Sequence, residues 1–286
     1  MECIEKYNTN ELREQFFNSK PFHYIVLDNF LESSLAKEIE TEIRNIPPED
    51  WFDKETEFGH INQQGDCSTQ SKKIALNIRK QIPDKTNYVI DLFSSPKMIQ
   101  FIEDITGITG LQSDPYLLGG GIHKTTTNGH LSIHCDFNIH PQTQKHRRIN
   151  ALLYLNDNWK PGYNGCLELW NKDMTKCVKK SPVKFNTAII FKTNEISWHG
   201  LPDKIKCPID IYRKSFAFYY ISDIITNRKD NIFGNDGSGY RTKATFVKRP
   251  EDPYYEQMEK LYKIRPFRRI EKKDMDDIWK DWNEEI

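Results

Sequence analysis

Apolar and polar residues alternate with period two along Leu131–Asp136. Leu131, Ile133 and Cys135 fall on one side, Ser132, His134 and Asp136 on the other, the pattern of a half-buried strand. Ile149–Asn156 is a near-continuous apolar run, as expected of a strand buried on both faces. Gly162 and Gly165 bracket a turn before Cys166–Trp170, where Leu167 and Leu169 share a side. Ala188–Lys192 is a short apolar strand that runs up to Ser197-Trp198-His199-Gly200. In Arg213–Tyr220, residues Arg213, Ser215, Ala217 and Tyr219 share one face. Many short strands punctuated by Gly, Pro and Asn predict a mainly β fold, a jelly roll or barrel, and not alternating βαβ units.

The N-terminal part reads as helical support. Tyr24–Leu27 is a short strand. Ser33 or Ser34 then caps a helix with Leu35, Ile39, Ile43 and Ile46 on one stripe, ended by Pro47-Pro48. A second helix has Ser95 as N-cap, Pro96 at its first position, Met98, Phe101, Ile102 and Ile105 inward, and Gly107 as terminator. Glu55–Ser71 is polar and reads as a loop. Asn227–Lys243 is Gly-rich and polar, and two short helices are expected near Pro253–Ile264 and Glu271–Glu284. The chain thus divides into a β-rich domain with its helices over 1–222 and a helical extension over 223–286 that packs on it.

Charge and cysteine content narrow the function. Lys+Arg and Asp+Glu both total 41, so the net charge is zero and nothing favours nucleic acid or an anionic membrane. No run approaches the roughly 18 apolar residues of a membrane span, and the start Met1-Glu2-Cys3-Ile4-Glu5-Lys6 lacks the apolar core of a signal peptide. The six cysteines are scattered, with no C-x-x-C pair. That suits reduced thiols and a cytoplasmic location. Cys135 is expected to pack away from its neighbours.

His134 and Asp136 stand two apart and point to one side of their strand. With His199 from a distant strand, they would offer a metal two imidazoles and a carboxylate on one face, a set suited to non-haem Fe(II) with open positions. Surface positions are expected for His130 and His140; His123 reads equally as a cavity-mouth or a structural histidine. Trp170 and Trp198 read as core or cavity-wall residues.

Five segments in order carry a family resemblance: Gly129-His130-Leu131-Ser132-Ile133-His134-Cys135-Asp136, Arg147 through Tyr154-Leu155-Asn156, Gly165–Trp170, Trp198-His199-Gly200 and Arg213-Lys214-Ser215. Over roughly residues 20–222 the chain resembles the Fe(II)- and 2-oxoglutarate-dependent dioxygenases, in their prolyl 4-hydroxylase-like branch. The resemblance implies a double-stranded β-helix (a cupin-like jelly roll) with His134, Asp136 and His199 on the iron. It also implies 2-oxoglutarate and O₂ as co-substrates, and ascorbate as reductant. Arg213 with Ser215 would hold the far carboxylate of 2-oxoglutarate, because a guanidinium fork binds a carboxylate through two parallel hydrogen bonds. Lys214 should face the other way. Asn150 and Tyr219 fall where relatives contact the co-substrate. Two positions depart from the family: Thr125 stands where many prolyl hydroxylases have a tyrosine, and Asn164 where they have the first of two glycines.

The expected reaction is hydroxylation of a C–H bond in a peptide side chain, prolyl among the options, or in a small molecule, releasing succinate and CO₂. The other classes are a cupin-type metal enzyme that does not use 2-oxoglutarate and a non-catalytic jelly-roll binding module. Arg213-x-Ser215 argues against the first, and the complete ligand set against the second. Glu55–Ser71 and Thr125–Asn128 are expected to flank the cavity mouth and select the substrate. The C-terminal helices could also serve a dimer.

Overall fold

The computed structural model describes residues 2–53, 70–223 and 244–252, and isolated positions from 259 to 277. The expected loop 55–71 lies almost entirely outside the described residues, as does the loop 227–243. So do nearly all of the two expected C-terminal helices.

Helices α1 (Glu2–Glu5), α2 (Thr9–Asn18), α3 (Ser33–Arg44), α4 (Asp84–Ser94) and α5 (Pro96–Thr106) precede or interrupt the first strands. The strands are β1 (Tyr24–Leu27), β2 (Phe52–Asp53), β3 (Gln70–Leu76), β4 (Gln112–Ser113), β5 (Gly121–Cys135), β6 (His146–Tyr154), β7 (Leu167–Trp170), β8 (Cys177–Ser181), β9 (Thr187–Lys192), β10 (His199–Leu201), β11 (Arg213–Ser222) and β12 (Thr245–Phe246). Every pairing is antiparallel, along the path β1-β9-β6-β11-β5-β10-β7-β8.

Strand β5 belongs to both halves of this curled sheet. Its first part, Gly121–Thr125, pairs with β11; its last part, Leu131–His134, pairs with β10. Between them Asn128 has φ 63°, and Thr127, Asn128 and Gly129 turn to the Ile205 backbone. The larger half carries the helices on its outer face. Ile149, Ala151 and Leu153 of β6, with Phe216, Phe218 and Tyr220 of β11, pack against Phe93, Phe101, Ile39 and Ile43. The alternate residues Tyr154, Ile189 and Phe191 turn inward to meet Leu167 and Leu169 of the smaller half. This is the jelly roll expected from the sequence.

Local signals hold where they depend only on neighbours. The Ser95 hydroxyl caps α5 by accepting from the Met98 amide at 3.2 Å, and Gly107 closes it at φ 67°. The cap of α3 is instead Glu32, whose carboxylate accepts from the amides of Ser34 and Leu35, and the helix ends at Arg44, before the prolines. Three expectations are corrected. Thr125 is not in a turn: it is 1% exposed in mid-strand opposite Arg213, and none of Thr125–Asn128 lines the cavity. His130 is buried in β5. His140 is 1% exposed because its imidazole reaches the equally buried Asp114 carboxylate at 3.1 Å.

Lys214 projects from β11 to the helix side and forms a buried ion pair with Glu40 of α3, which also holds the exposed Arg44. Breaking such a pair strands the remaining charge. Lys214→Met should therefore lower the unfolding free energy by roughly 3 kcal/mol in denaturant titrations. Lys124, on the same side, lies 4.0 Å from the Trp51 ring centre. Burial, and then the charge of Lys214, push its ammonium down to about 8. The folded state carries that charge at a cost below about pH 8, relieved as pH rises toward the ordinary 10.5. The stability advantage of Lys124→Met should be greatest at neutral pH and shrink across that window, as thermal melts would show.

Candidate active site

His134 and His199 are direct cross-strand partners on β5 and β10, so both project from one face, their ring centres 4.5 Å apart. Each ring is oriented by its own chain. Nδ1 of His134 lies 2.9 Å from the Ser132 carbonyl, and Nδ1 of His199 lies 2.8 Å from that of Ser197. A carbonyl only accepts, so the proton sits on Nδ1 and both Nε2 lone pairs are left to converge. Asp136, just past the end of β5, meets them: Oδ1 lies 3.6 Å from His134 Nε2 and Oδ2 lies 3.4 Å from His199 Nε2. One ligand atom from each residue falls within 4.8 Å of the others, the spacing of a shared cation. Burial and the neighbouring His199 lower the pKa of His134, which favours the neutral imidazole that a metal requires.

Asp136 is held from behind. The Asn150 amide donates to Oδ2 at 2.6 Å, and Nη2 of Arg147 lies 3.1 Å from the same oxygen. Arg147 Nε donates to Asn150 Oδ1 at 3.0 Å, as does the Thr193 hydroxyl at 3.2 Å. The guanidinium is stacked 3.3 Å from the centre of the Tyr219 ring, whose hydroxyl donates to the Gly119 carbonyl. Burial alone would raise the Asp136 pKa. Arg147, His199 and the hydrogen bonds outweigh it and hold the carboxyl well below the usual range.

A cavity of about 310 Å³ opens over these groups and extends to Arg213 and Ser215. Arg213 is 4% exposed. Its Nε donates to the Gly165 carbonyl at 2.8 Å and Nη1 lies 3.5 Å from Ser215 Oγ, but no carboxylate among the described residues pairs with it. The Tyr154 ring stands 5.0 Å from its Cζ, on the strand position opposite Ser215. The buried Tyr154 hydroxyl makes no hydrogen bond of ordinary geometry, and burial raises its pKa, so it remains a donor. A guanidinium and a serine thus face one end of the cavity, with the Tyr154 ring behind the guanidinium and no carboxylate among the described residues beside it. His123 also lines the cavity.

Every residue assigned from the sequence to the metal or the co-substrate lies on this cavity: the three ligand candidates, Arg213, Ser215, Asn150 and Tyr219. Arg147, Tyr154 and the packing role of Gly165 were not anticipated. Arg147 and Asn150 have opposite parity and should face opposite ways on a regular strand. A bulge places one extra residue between Ile149 and Arg147 opposite Tyr220–Ile221 and turns Arg147 inward. A second bulge, between His134 and Leu131 opposite His199–Leu201, brings Leu131 onto the cavity side, against the simple alternation. Asn164, at the position where the resemblance implies glycine, takes up φ 60° with ψ −149°, a backbone conformation that glycine adopts far more readily than a residue with a Cβ.

Residues 120–221 match the model of the 2OG-Fe(II) oxygenase superfamily. A search of the curated proteins finds no match. Among solved structures, a prolyl 4-hydroxylase from Phytophthora capsici superposes with a TM-score of 0.50 at 18% identity over 80% of this chain, which spans 66% of that protein. HygX from Streptomyces hygroscopicus, determined with nickel and 2-oxoglutarate and also with hygromycin B, superposes with a TM-score of 0.50 at 15% identity, over 80% of this chain and 95% of its own. Identities this low speak for the fold. With the family match over 120–221, they show the fold of the iron- and 2-oxoglutarate-dependent oxygenases. The match covers about a third of the chain, and the surrounding fold is built like that of the prolyl 4-hydroxylase.

Gly165 lets the Arg213 stem pass: a Cβ there would sit 3.1 Å from Arg213 Cδ, and its φ is 79°. Gly165→Ala should cost roughly 1–3 kcal/mol in urea unfolding and shift the guanidinium in a crystal structure of the variant.

Proposed function

We propose that His134, Asp136 and His199 hold one Fe(II), and that Arg213, with Ser215 and Tyr154, holds the far carboxylate of 2-oxoglutarate. The enzyme then hydroxylates a C–H bond of a peptide side chain. The observation that carries this reading is the buried Arg213 guanidinium, without a carboxylate partner among the described residues, at the end of the same cavity as the two histidines and the aspartate. Burying a fixed charge is costly unless something pairs with it, and a dicarboxylate spanning the cavity would do so. The donor set suits iron: two imidazoles and one carboxylate on one side.

When bound, iron and 2-oxoglutarate supply the oxidising chemistry, in which decarboxylation to succinate and CO₂ is coupled to insertion of one oxygen atom into the substrate. The protein's part is to bind and orient. Asn150 and Arg147 keep the Asp136 carboxylate ionised and fixed in rotation. Both ends of the Asn150 amide are spent inside the protein, so its role is positioning, as is that of Tyr219 beneath Arg147. Arg213 sets the register of the co-substrate.

A peptide substrate is favoured by the prolyl hydroxylase-like build. The likeness to HygX favours a small molecule as the second reading. Succinate release with Fe(II), 2-oxoglutarate and ascorbate, across a panel of peptides and small molecules, separates the two. Turnover of small molecules alone would reject the peptide.

Asp136→Ala should abolish turnover and metal binding, read by calorimetric titration with Fe(II) under argon, while the thermal melt of the metal-free protein stays near wild type. Arg213→Ala should raise the apparent KM for 2-oxoglutarate by a factor corresponding to roughly 2–5 kcal/mol. An unchanged KM would exclude Arg213 from the co-substrate site.

A further inference from the structure

Residues 244–252 lie beyond the segment that matches the family, yet they reach the centre of the site. Strand β12 pairs with the end of β5, Thr245 opposite Cys135 and Phe246 opposite His134, and the Val247 amide donates to the Ile133 carbonyl at 2.9 Å. Directly opposed residues project to the same face, which brings Phe246 to the cavity side. Its ring is 7% exposed and its centre stands 5.2 Å from that of the His134 imidazole, at 32°. His134 is therefore packed between Phe246 and His199.

Three residues later the same segment grips the opposite face of the sheet. Leu169 pairs with His199 and shares its face, so Glu168, one residue away, points to the other. Arg249 comes within 3.7 Å of Glu168 and within 2.8 Å of both Asp203 and Asp252, and is 8% exposed. Simple protection of a sheet edge would account for the backbone pairing. It would not call for an aromatic ring at the register position of His134, nor for a buried arginine anchoring the strand from behind.

We propose that residues 244–252 are a working strap of the metal centre, with Phe246 as the positioning residue that fixes the His134 imidazole and keeps water from its cavity side, an inference that rests on His134 being a metal ligand. The Ser132 carbonyl restrains the ring at Nδ1 alone. Phe246 removes the remaining freedom to tilt, and the apolar shell it adds limits solvent access to the site. Arg249 transmits no chemistry; it keeps the strap closed.

Co(II) alone, titrated into the full chain, tests this without turnover. Wild type should bind one equivalent. Phe246→Ala should bind about tenfold more weakly, release the ion faster to a chelator and show an altered visible spectrum. Phe246→Trp should restore all three. Arg249→Met, which leaves the ring in place but loosens its anchor, should also weaken binding and speed release. Thermal melts of the metal-free proteins establish that each variant folds, and if Phe246→Ala does not, Arg249→Met decides. Wild-type affinity, spectrum and release rate in the folded variant overturn the strap. Failure of the wild-type chain to bind Co(II) overturns the metal centre itself, and the strap with it.

Discussion

The cross-strand pairing of His199 with His134 is the contact on which the rest of the site depends. The residues are 65 apart in sequence (199 − 134), and the short strand β10 meets β5 only because β5 bends out of the larger half-sheet into the smaller one. Once the pair forms, sheet geometry puts both side chains on one face, and a carbonyl of each residue's own chain fixes each ring. Asp136 needs only to leave the strand end to meet them. Three ligand atoms thus converge with little side-chain entropy left to lose.

Two buried arginines divide the electrostatics of the cavity. Arg147 is matched to Asp136 and holds it as an anion beside the two imidazoles. Arg213 is left without an acidic partner among the described residues and is instead propped by the Gly165 carbonyl, Ser215 and Tyr154. Lys214, one residue on, has been turned to the helix side and neutralised by Glu40. The period-two geometry of β11 thus sorts adjacent cations into one paired on the helix side and one that faces the cavity.

Much of this was legible in the sequence because it depends on neighbours. Strand alternation gives the shared face of Arg213, Ser215, Ala217 and Tyr219; a serine followed by proline starts α5; a glycine ends it. The H-x-D spacing places two ligand candidates on one side of a strand whatever the fold. The lone downstream His199 gave the third candidate, the resemblance added the arginine, and all of them line one cavity.

What the tertiary structure decided were the departures from regular period. The bulge between Ile149 and Arg147 reverses the face of Arg147, and the bulge between His134 and Leu131 does the same for Leu131. The second lies where β5 passes between the two halves of the sheet, the first near the start of β6, and no local pattern encodes either. His130 and His140 read as surface residues from their polar flanks, yet His140 is buried because Asp114, distant in sequence, supplies its partner. Phe246 is the clearest case. A lone phenylalanine in a polar tail carries no local signal, and only the antiparallel register of β12 against β5 sets it on the His134 ring. The sequence by itself determined which side chains share a strand face, because that follows from backbone geometry. Which strands meet, and where their regularity breaks, depended on how the whole chain packs.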